Sequence, residues 1–227
     1  MNPRFNLICV AVFCCAASYG QQNSHAFFGI EGGKGTDLQY TVALSYNYLW
    51  LLGKQKRLEI GTGARLTSYS GGTSRYFFSA PASIVSSGSE YIDTVSVTSP
   101  TIYCLNVMLN MGYRITSRFA VGFNIDVIGG SFGSEKLGTY MSGSTNTTVP
   151  VKPTSFNLLA GDNNDHGSLN STFFLRYKIN DKLAVKAGAE HILTEYSTAT
   201  KVQQQPSPND RFRSKSTMFS AGILFYF

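Results

Sequence analysis

The run Asp162-Asn163-Asn164-Asp165-His166-Gly167-Ser168 holds the densest group of side chains able to do chemistry in this chain. Asp, Asn and Gly in close order suggest a calcium loop. However, His166 takes a ligand position, and no glutamate follows where a bidentate ligand should sit. His166 and Ser168 are two apart and would share one face of a strand. A Ser–His pair beside a carboxylate can hydrolyse an ester, but Asp162 and Asp165 fall in the loop rather than on that face. The run therefore reads as a polar turn. His25 and His191 stand alone, and no Cys/His cluster has metal-ligand spacing. No catalytic residue, metal ligand or cofactor is assigned, and the chain is expected not to be an enzyme.

A second set of reactive groups is spread along the chain. Glu31, Glu59, Arg65, Asp126, Arg176, Lys186 and Glu190 lie mostly mid-segment, in stretches that alternate apolar and polar residues. Gly29, Gly61, Gly63, Gly112, Gly122, Gly188 and Gly222 share their rows. Four acids against three bases, spaced by residues without side chains, suit a crowded, nearly charge-paired interior, because a buried charge left unpaired is costly.

The elements that must position these groups are strands. Period two is the mark of a strand with two different faces. It recurs over 26–34, 39–52, 57–69, 101–115, 118–132, 169–179, 182–196 and 216–227. The row opposite the charges is apolar: Tyr103, Leu105, Val107, Leu109 and Met111 in one segment, Phe219, Ala221, Ile223, Phe225 and Phe227 in the last. Connections alternate in length, except that residues 35–38 are a short connection on the long-loop side. Residues 53–56, 116–117 and 180–181 make short turns, while 70–100, 133–166 and 197–212 are long and rich in Ser, Thr, Gly, Asn and Pro. Loops of that length are hard to place in a compact soluble domain. An eight-stranded barrel has an interior just wide enough for side chains to fill. The expectation is an all-β, transmembrane, antiparallel up-and-down barrel of eight strands, with a polar interior and its apolar face toward lipid.

Composition agrees. Charged residues are 14% of the 227, aromatics 13%, and mean hydropathy is −0.05. That is too polar for a helical membrane protein and too apolar for a disordered chain. After Gly20 no apolar run is long enough to cross a bilayer as a helix. Met1–Gly20 reads as a secretory signal peptide: Arg4 supplies the positive start, Phe5–Ala17 the apolar stretch, and small residues precede a cut before Gln21. Cleavage would remove Cys9, Cys14 and Cys15, leaving Cys104 without a disulfide partner and lowering the formal charge from +6 to +5. Residues 21–227 are then the barrel domain. Trp50, Tyr48, Tyr113, Phe119, Tyr177, Phe225 and Phe227 gather at the short-turn rim, where amphipathic rings favour the headgroup level. Lys54, Lys56, Arg57, Arg114, Arg118, Lys178 and Lys182 collect there too, a pattern that suits contact with lipid phosphates and equally suits solvated turn charge. No basic run with interleaved aromatics suggests nucleic acid.

The final strand, ending Leu224-Phe225-Tyr226-Phe227, resembles the C-terminal signature of bacterial outer-membrane barrels through Phe219, Ile223, Phe225 and Phe227. The whole mature chain is similar to the small OmpA/OmpX/OmpW-type barrels, also called porin family. That resemblance implies an outer-membrane location in a diderm bacterium, outer-membrane lipids as neighbours, and the barrel-assembly machinery as the reader of the last strand. No periplasmic domain is expected after residue 227. The expected role is structural or surface recognition, with any extracellular ligand held by the long loops and the lumen plugged by the charged network. The alternatives are a narrow porin-like channel or transporter of small or hydrophobic solutes and, more remotely, an outer-membrane lipid hydrolase.

Overall fold

The computed structural model describes residues 24–143 and 145–227; the expected signal peptide, 1–20, lies outside them. Thirteen strands form one antiparallel sheet among the described residues. They are β1 (Ser24–Lys34), β2 (Gln39–Leu52), β3 (Leu58–Gly71), β4 (Ser74–Ser79), β5 (Thr94–Thr98), β6 (Thr101–Arg114), β7 (Phe119–Phe132), β8 (Lys136–Ser142), β9 (Thr145–Pro153), β10 (Phe156–Leu158), β11 (Leu169–Lys178), β12 (Leu183–Thr198) and β13 (Arg211–Tyr226). The expected number of strands, eight, is too low. The difference lies in two of the long connections, 70–100 and 133–166, which contain β4, β5, β8, β9 and β10. Those strands are short and interspersed with Ser and Thr, so the periodic signal is weak even though the backbone pairs. No helix among the described residues is long and apolar enough to cross a membrane.

The pairing closes twice. β1, β2, β3, β6, β7, β11, β12 and β13 pair in that order, and β13 returns to β1. Above them, β12 and β13 continue into a second circuit: β13 pairs with β4, β4 with β5, β5 with β8, β8 with β9, and β9 returns to β12. The lower circuit is a barrel and the upper one a crown on its long-loop end.

Local chemistry makes the short turns. Gly53 and Lys56 take positive φ, 82° and 52°, between β2 and β3. The Thr116 hydroxyl accepts from the backbone N–H groups of Arg118 and Phe119 between β6 and β7. The Asn180 side chain accepts from Lys182 N–H between β11 and β12, the Asx device that favours such turns.

The two circuits have opposite sidedness. Along the barrel the apolar row faces out: Val107 and Leu175 are 47% and 51% exposed, whereas Asp126 and Arg176 are buried. In the crown the apolar row faces in. Phe77, Val95, Val97, Tyr140, Val149 and Val151 pack with Tyr69, Ile102, Ile192, Tyr196 and Phe212 from the barrel's upper end. Thr139, Thr148, Pro150 and Lys152 face outward. One bulge disturbs the alternation: Val107 pairs with Ile128 and Met108 with Asp126, so Val127 has no partner in the β6–β7 ladder. Beyond it the exposed row passes from odd to even residues, Ile128 and Phe132. An extra residue in one strand does this by shifting the two-residue period.

Candidate functional site

The barrel axis is lined by the charged row, in layers. Nearest the short turns, Arg176 Nη2 donates to both carboxylate oxygens of Glu59 at 2.7 and 2.6 Å. Next, Lys186 Nζ donates to Glu31 Oε2 at 2.7 Å and sits 4.4 Å from the Phe174 ring centroid. Above that, Arg65 reaches Asp126 Oδ1 through Nη2 at 2.6 Å and Nε at 3.1 Å. It also donates to Asn124 Oδ1 and the Asn170 carbonyl. The other Asp126 oxygen accepts from Asn106 Nδ2 and Asn170 N–H.

All seven charged residues singled out above therefore line the lumen, six of them as ion pairs. The seventh, Glu190, has no ion-pair partner among the described residues. Its carboxylate accepts from the Thr41 hydroxyl at 2.8 Å and from the Asn170 amide. Neutral donors thus do what the count of four acids to three bases left undone. Asn106, Asn124, Asn170 and Thr41 could have been found from sequence, since they occupy the same row as the charges.

Glycine makes the room. A Cβ on Gly222 would stand 2.6 Å from Glu31 Cγ, and one on Gly33 would stand 2.1 Å from Glu190 Oε2. With Arg65, Asp126, Arg176 and Glu59 all nearly inaccessible to solvent, these side chains fill the axis. Buried charges of this kind are tolerated when paired and hydrogen-bonded.

On the outer wall, Phe219, Ile223, Phe225 and Phe227 are all exposed. Their strand closes the barrel, pairing with β12 on one side and β1 on the other. Trp50 and Tyr48 meet edge to face at 5.3 Å on the short-turn rim.

The crown offers the larger recess. β13 pairs with β4 only at Phe212 and Arg213, and with β1 only from Phe219 onward. Between these ladders the wall opens into a wedge. A groove of about 770 Å³ lies there, lined by Asp37, Arg75, Tyr76, Phe78, Ile92 and Lys215 among others. Arg75 straps it: Nε donates to Ser214 Oγ at 2.9 Å, and Nη2 to Ser216 Oγ at 2.8 Å and the Lys215 carbonyl at 3.0 Å. Tyr76 and Phe78 are half exposed beside it.

Behind the groove is an ion cluster that sequence reasoning missed. Glu195 is fully buried, accepting from Arg211 Nε and Arg213 Nη2, both at 2.8 Å. Both arginines also donate to the Asp165 carbonyl. A glutamate on the outward row of β12 signals that this strand has left the apolar zone. Deeper in the crown, the Tyr140 hydroxyl donates to Asp93. Burial and that bond push the phenol up to about 12.

The 162–168 run does not assemble a nucleophile. His166 Nδ1 contacts the Phe156 carbonyl at 2.8 Å, whereas Ser168 is buried with its Oγ accepting from Glu195 N–H. Asp165 Oδ1 accepts from the N–H groups of Ala160 and Gly161, a turn contact. No group of three or more potential metal ligands occurs among the described residues.

No family model matches this chain, and no curated protein matches it. Among solved structures it is similar to outer-membrane β-barrel proteins. Neisserial surface protein A is 10% identical, with 90% of this chain and 96% of that one covered and a TM-score of 0.39. The Yersinia pestis attachment invasion locus protein Ail, in complex with the heparin analogue sucrose octasulfate, is 11% identical over 90% and 97%, with a TM-score of 0.34. The Pseudomonas putida toluene transporter TodX is 8% identical over 92% and 90%, with a TM-score of 0.26.

Proposed function

We propose that this protein is an integral outer-membrane β-barrel in which residues 1–20 direct export and 21–227 form the inserted domain. The lower circuit of eight long strands spans the bilayer, and the crown is a rigid recognition platform on the cell surface. The observation that carries the reading is the reversal of sidedness along β12 and β13. Below, grease faces out and ions face in; above, Tyr196 and Phe212 face an apolar core, while the crown's outer row mixes Thr139, Thr148 and Lys152 with Leu137, Tyr76 and Phe78. A hydrocarbon slab around the lower circuit and water around the upper one account for both, since lipid-facing barrels carry their apolar row outside.

The lumen is a plug in this reading. Its ion pairs fill the axis, and the crown core lies across the long-loop end. The exposed row of β13, with Phe219, Ile223, Phe225 and Phe227, is the surface offered to the assembly machinery and then to membrane lipids. The wedge groove, with Arg75, Lys215, Tyr76 and Phe78, is the place for an extracellular ligand, and no catalytic step is involved. Migration of membrane fractions on gels tests the barrel: the unboiled protein should run differently from the boiled. Planar bilayers test the plug, with no steady openings expected. Identical migration, or steady conductance by the unaltered protein, refutes the corresponding part.

A further inference from the structure

At the short-turn end the lumen narrows to a small pocket of about 30 Å³, lined by His25, Arg114, Arg118, Lys178 and Tyr226 together with the Glu59–Arg176 pair. Glu59 is already committed, since both its oxygens accept from Arg176. Arg114, Arg118 and Lys178 form no ion pair within 4 Å among the described residues, and Asp181 on the nearby turn and Glu59 act on Lys178 only at longer range. The Lys178 ammonium lies 4.8 Å from the Tyr226 ring centroid.

Two polar atoms here are buried and unused. The Tyr226 hydroxyl, on a side chain only 8% exposed, has no hydrogen-bond partner. Neither has His25 Nε2, which stands 3.9 Å from Glu59 Oε1. Buried hydroxyls and ring nitrogens are normally paired. Three cations around one small space, with a hydroxyl and an imidazole nitrogen ready to bond, make a place for negative charge. Charge-assisted hydrogen bonds from such groups are the strong ones.

We propose that this mouth binds a single phosphate-type oxyanion, with Arg114, Arg118 and Lys178 supplying the charge and the Tyr226 hydroxyl and His25 Nε2 supplying directed hydrogen bonds. The pocket is small enough to suit one tetrahedral group, with anything attached to that group left outside the mouth. Two sources carry that group: free inorganic phosphate, and a phospholipid headgroup at the same rim. The rim bases are therefore divided, since Arg114, Arg118 and Lys178 line the lumen mouth rather than the outer wall.

The test uses the folded full-length mature protein in maltoside micelles, in chloride buffer at constant ionic strength. The ring signals of His25 are followed by NMR during titration with sodium phosphate and, separately, with dihexanoyl phosphatidic acid. A saturable shift is expected that chloride does not reproduce. Arg118→Gln and Lys178→Gln should each weaken it about tenfold, the scale of one lost charge-assisted contact, and Tyr226→Phe should weaken it severalfold. Arg118 lies on an exposed turn, so its variant keeps the fold, checked by unchanged heat-modifiable migration. Saturation by phosphate assigns the free ion, and saturation by the lipid alone assigns the headgroup; either supports the site. A linear shift, one matched by chloride, or one unaltered in Arg118→Gln and Lys178→Gln overturns it. None of these outcomes depends on whether the crown recognises a ligand.

Discussion

Replacing Asp126 by asparagine would expose how the lumen is held. The carboxylate is fully buried and accepts four hydrogen bonds, two from Arg65 and one each from Asn106 Nδ2 and Asn170 N–H. Asparagine keeps the shape but removes the charge. Arg65, 2% exposed, would keep Asn124 and the Asn170 carbonyl but lose its counter-ion. The new amide would turn an N–H₂ toward donors that now find an acceptor, or toward Arg65 itself. Breaking a buried pair by removing one partner costs about 3–5 kcal/mol. With a urea slope of ~2 kcal/mol per molar, that is a fall in unfolding midpoint of about 1.5–2.5 M.

The control is Asp126→Asn combined with Arg65→Met, which removes both charges and keeps an unbranched side chain. Replacing a buried pair by apolar groups is often close to neutral, so the double variant should recover most of the loss. The assay is the folded fraction against urea in phospholipid vesicles, read from the unboiled gel band. A single variant within about 0.5 kcal/mol of the parent, the range of an inert surface change, would refute the claim that this pair is isolated from solvent. A double variant no better than the single would refute the claim that the uncompensated cation is the cause.

Four further outcomes follow from the same geometry. Val107→Arg places a charge on the outer wall and should cost about 2–4 kcal/mol in vesicles; no loss of folded yield would argue against a lipid-facing row. Phe77→Ala empties the crown core at an expected ~3–5 kcal/mol, so protease should cut 74–98 readily while the barrel keeps its heat-modifiable migration. Gly222→Val puts a side chain where even a Cβ would be 2.6 Å from Glu31 Cγ and should cost about 1–3 kcal/mol. Its outward neighbour Ala221→Val should change the urea midpoint little, and equal effects would count against the crowded axis. Tyr140 has its phenol raised to about 12, so its contribution is complete below the ordinary phenol value and is lost as pH rises from there through the raised one. Crown proteolysis should therefore accelerate over that alkaline interval, and Tyr140→Phe should lack that increment.

Much of the barrel could be read along the chain because its information is local. Each long strand alternates between two environments, so Leu105, Val107 and Leu109 declare one face and Asn106, Met108 and Asn110 the other without knowledge of any neighbour. Short turns announce themselves through Gly53, Thr116 and Asn180. The charged row, Glu31 to Glu190, was legible for the same reason. The bulge at Val127 was not, because an unpaired residue is defined only against the partner strand. The crown was not legible either: β4, β5, β8 and β9 are short, and their Ser and Thr suit a loop as well as a strand whose outer face meets water.

Pairing was decided by three dimensions alone. Arg176 meets Glu59 across 117 positions of chain, and Lys186 meets Glu31 across 155. Nothing in the sequence ranks these partners above others, since all share one lumen-facing row. What chooses is the height of each residue along the axis, set by strand stagger once β13 closes on β1. The amino-acid order determined which side chains turn toward the axis; the closed register determined which of them meet, and which, like Tyr226 and His25, are left with a bond to give.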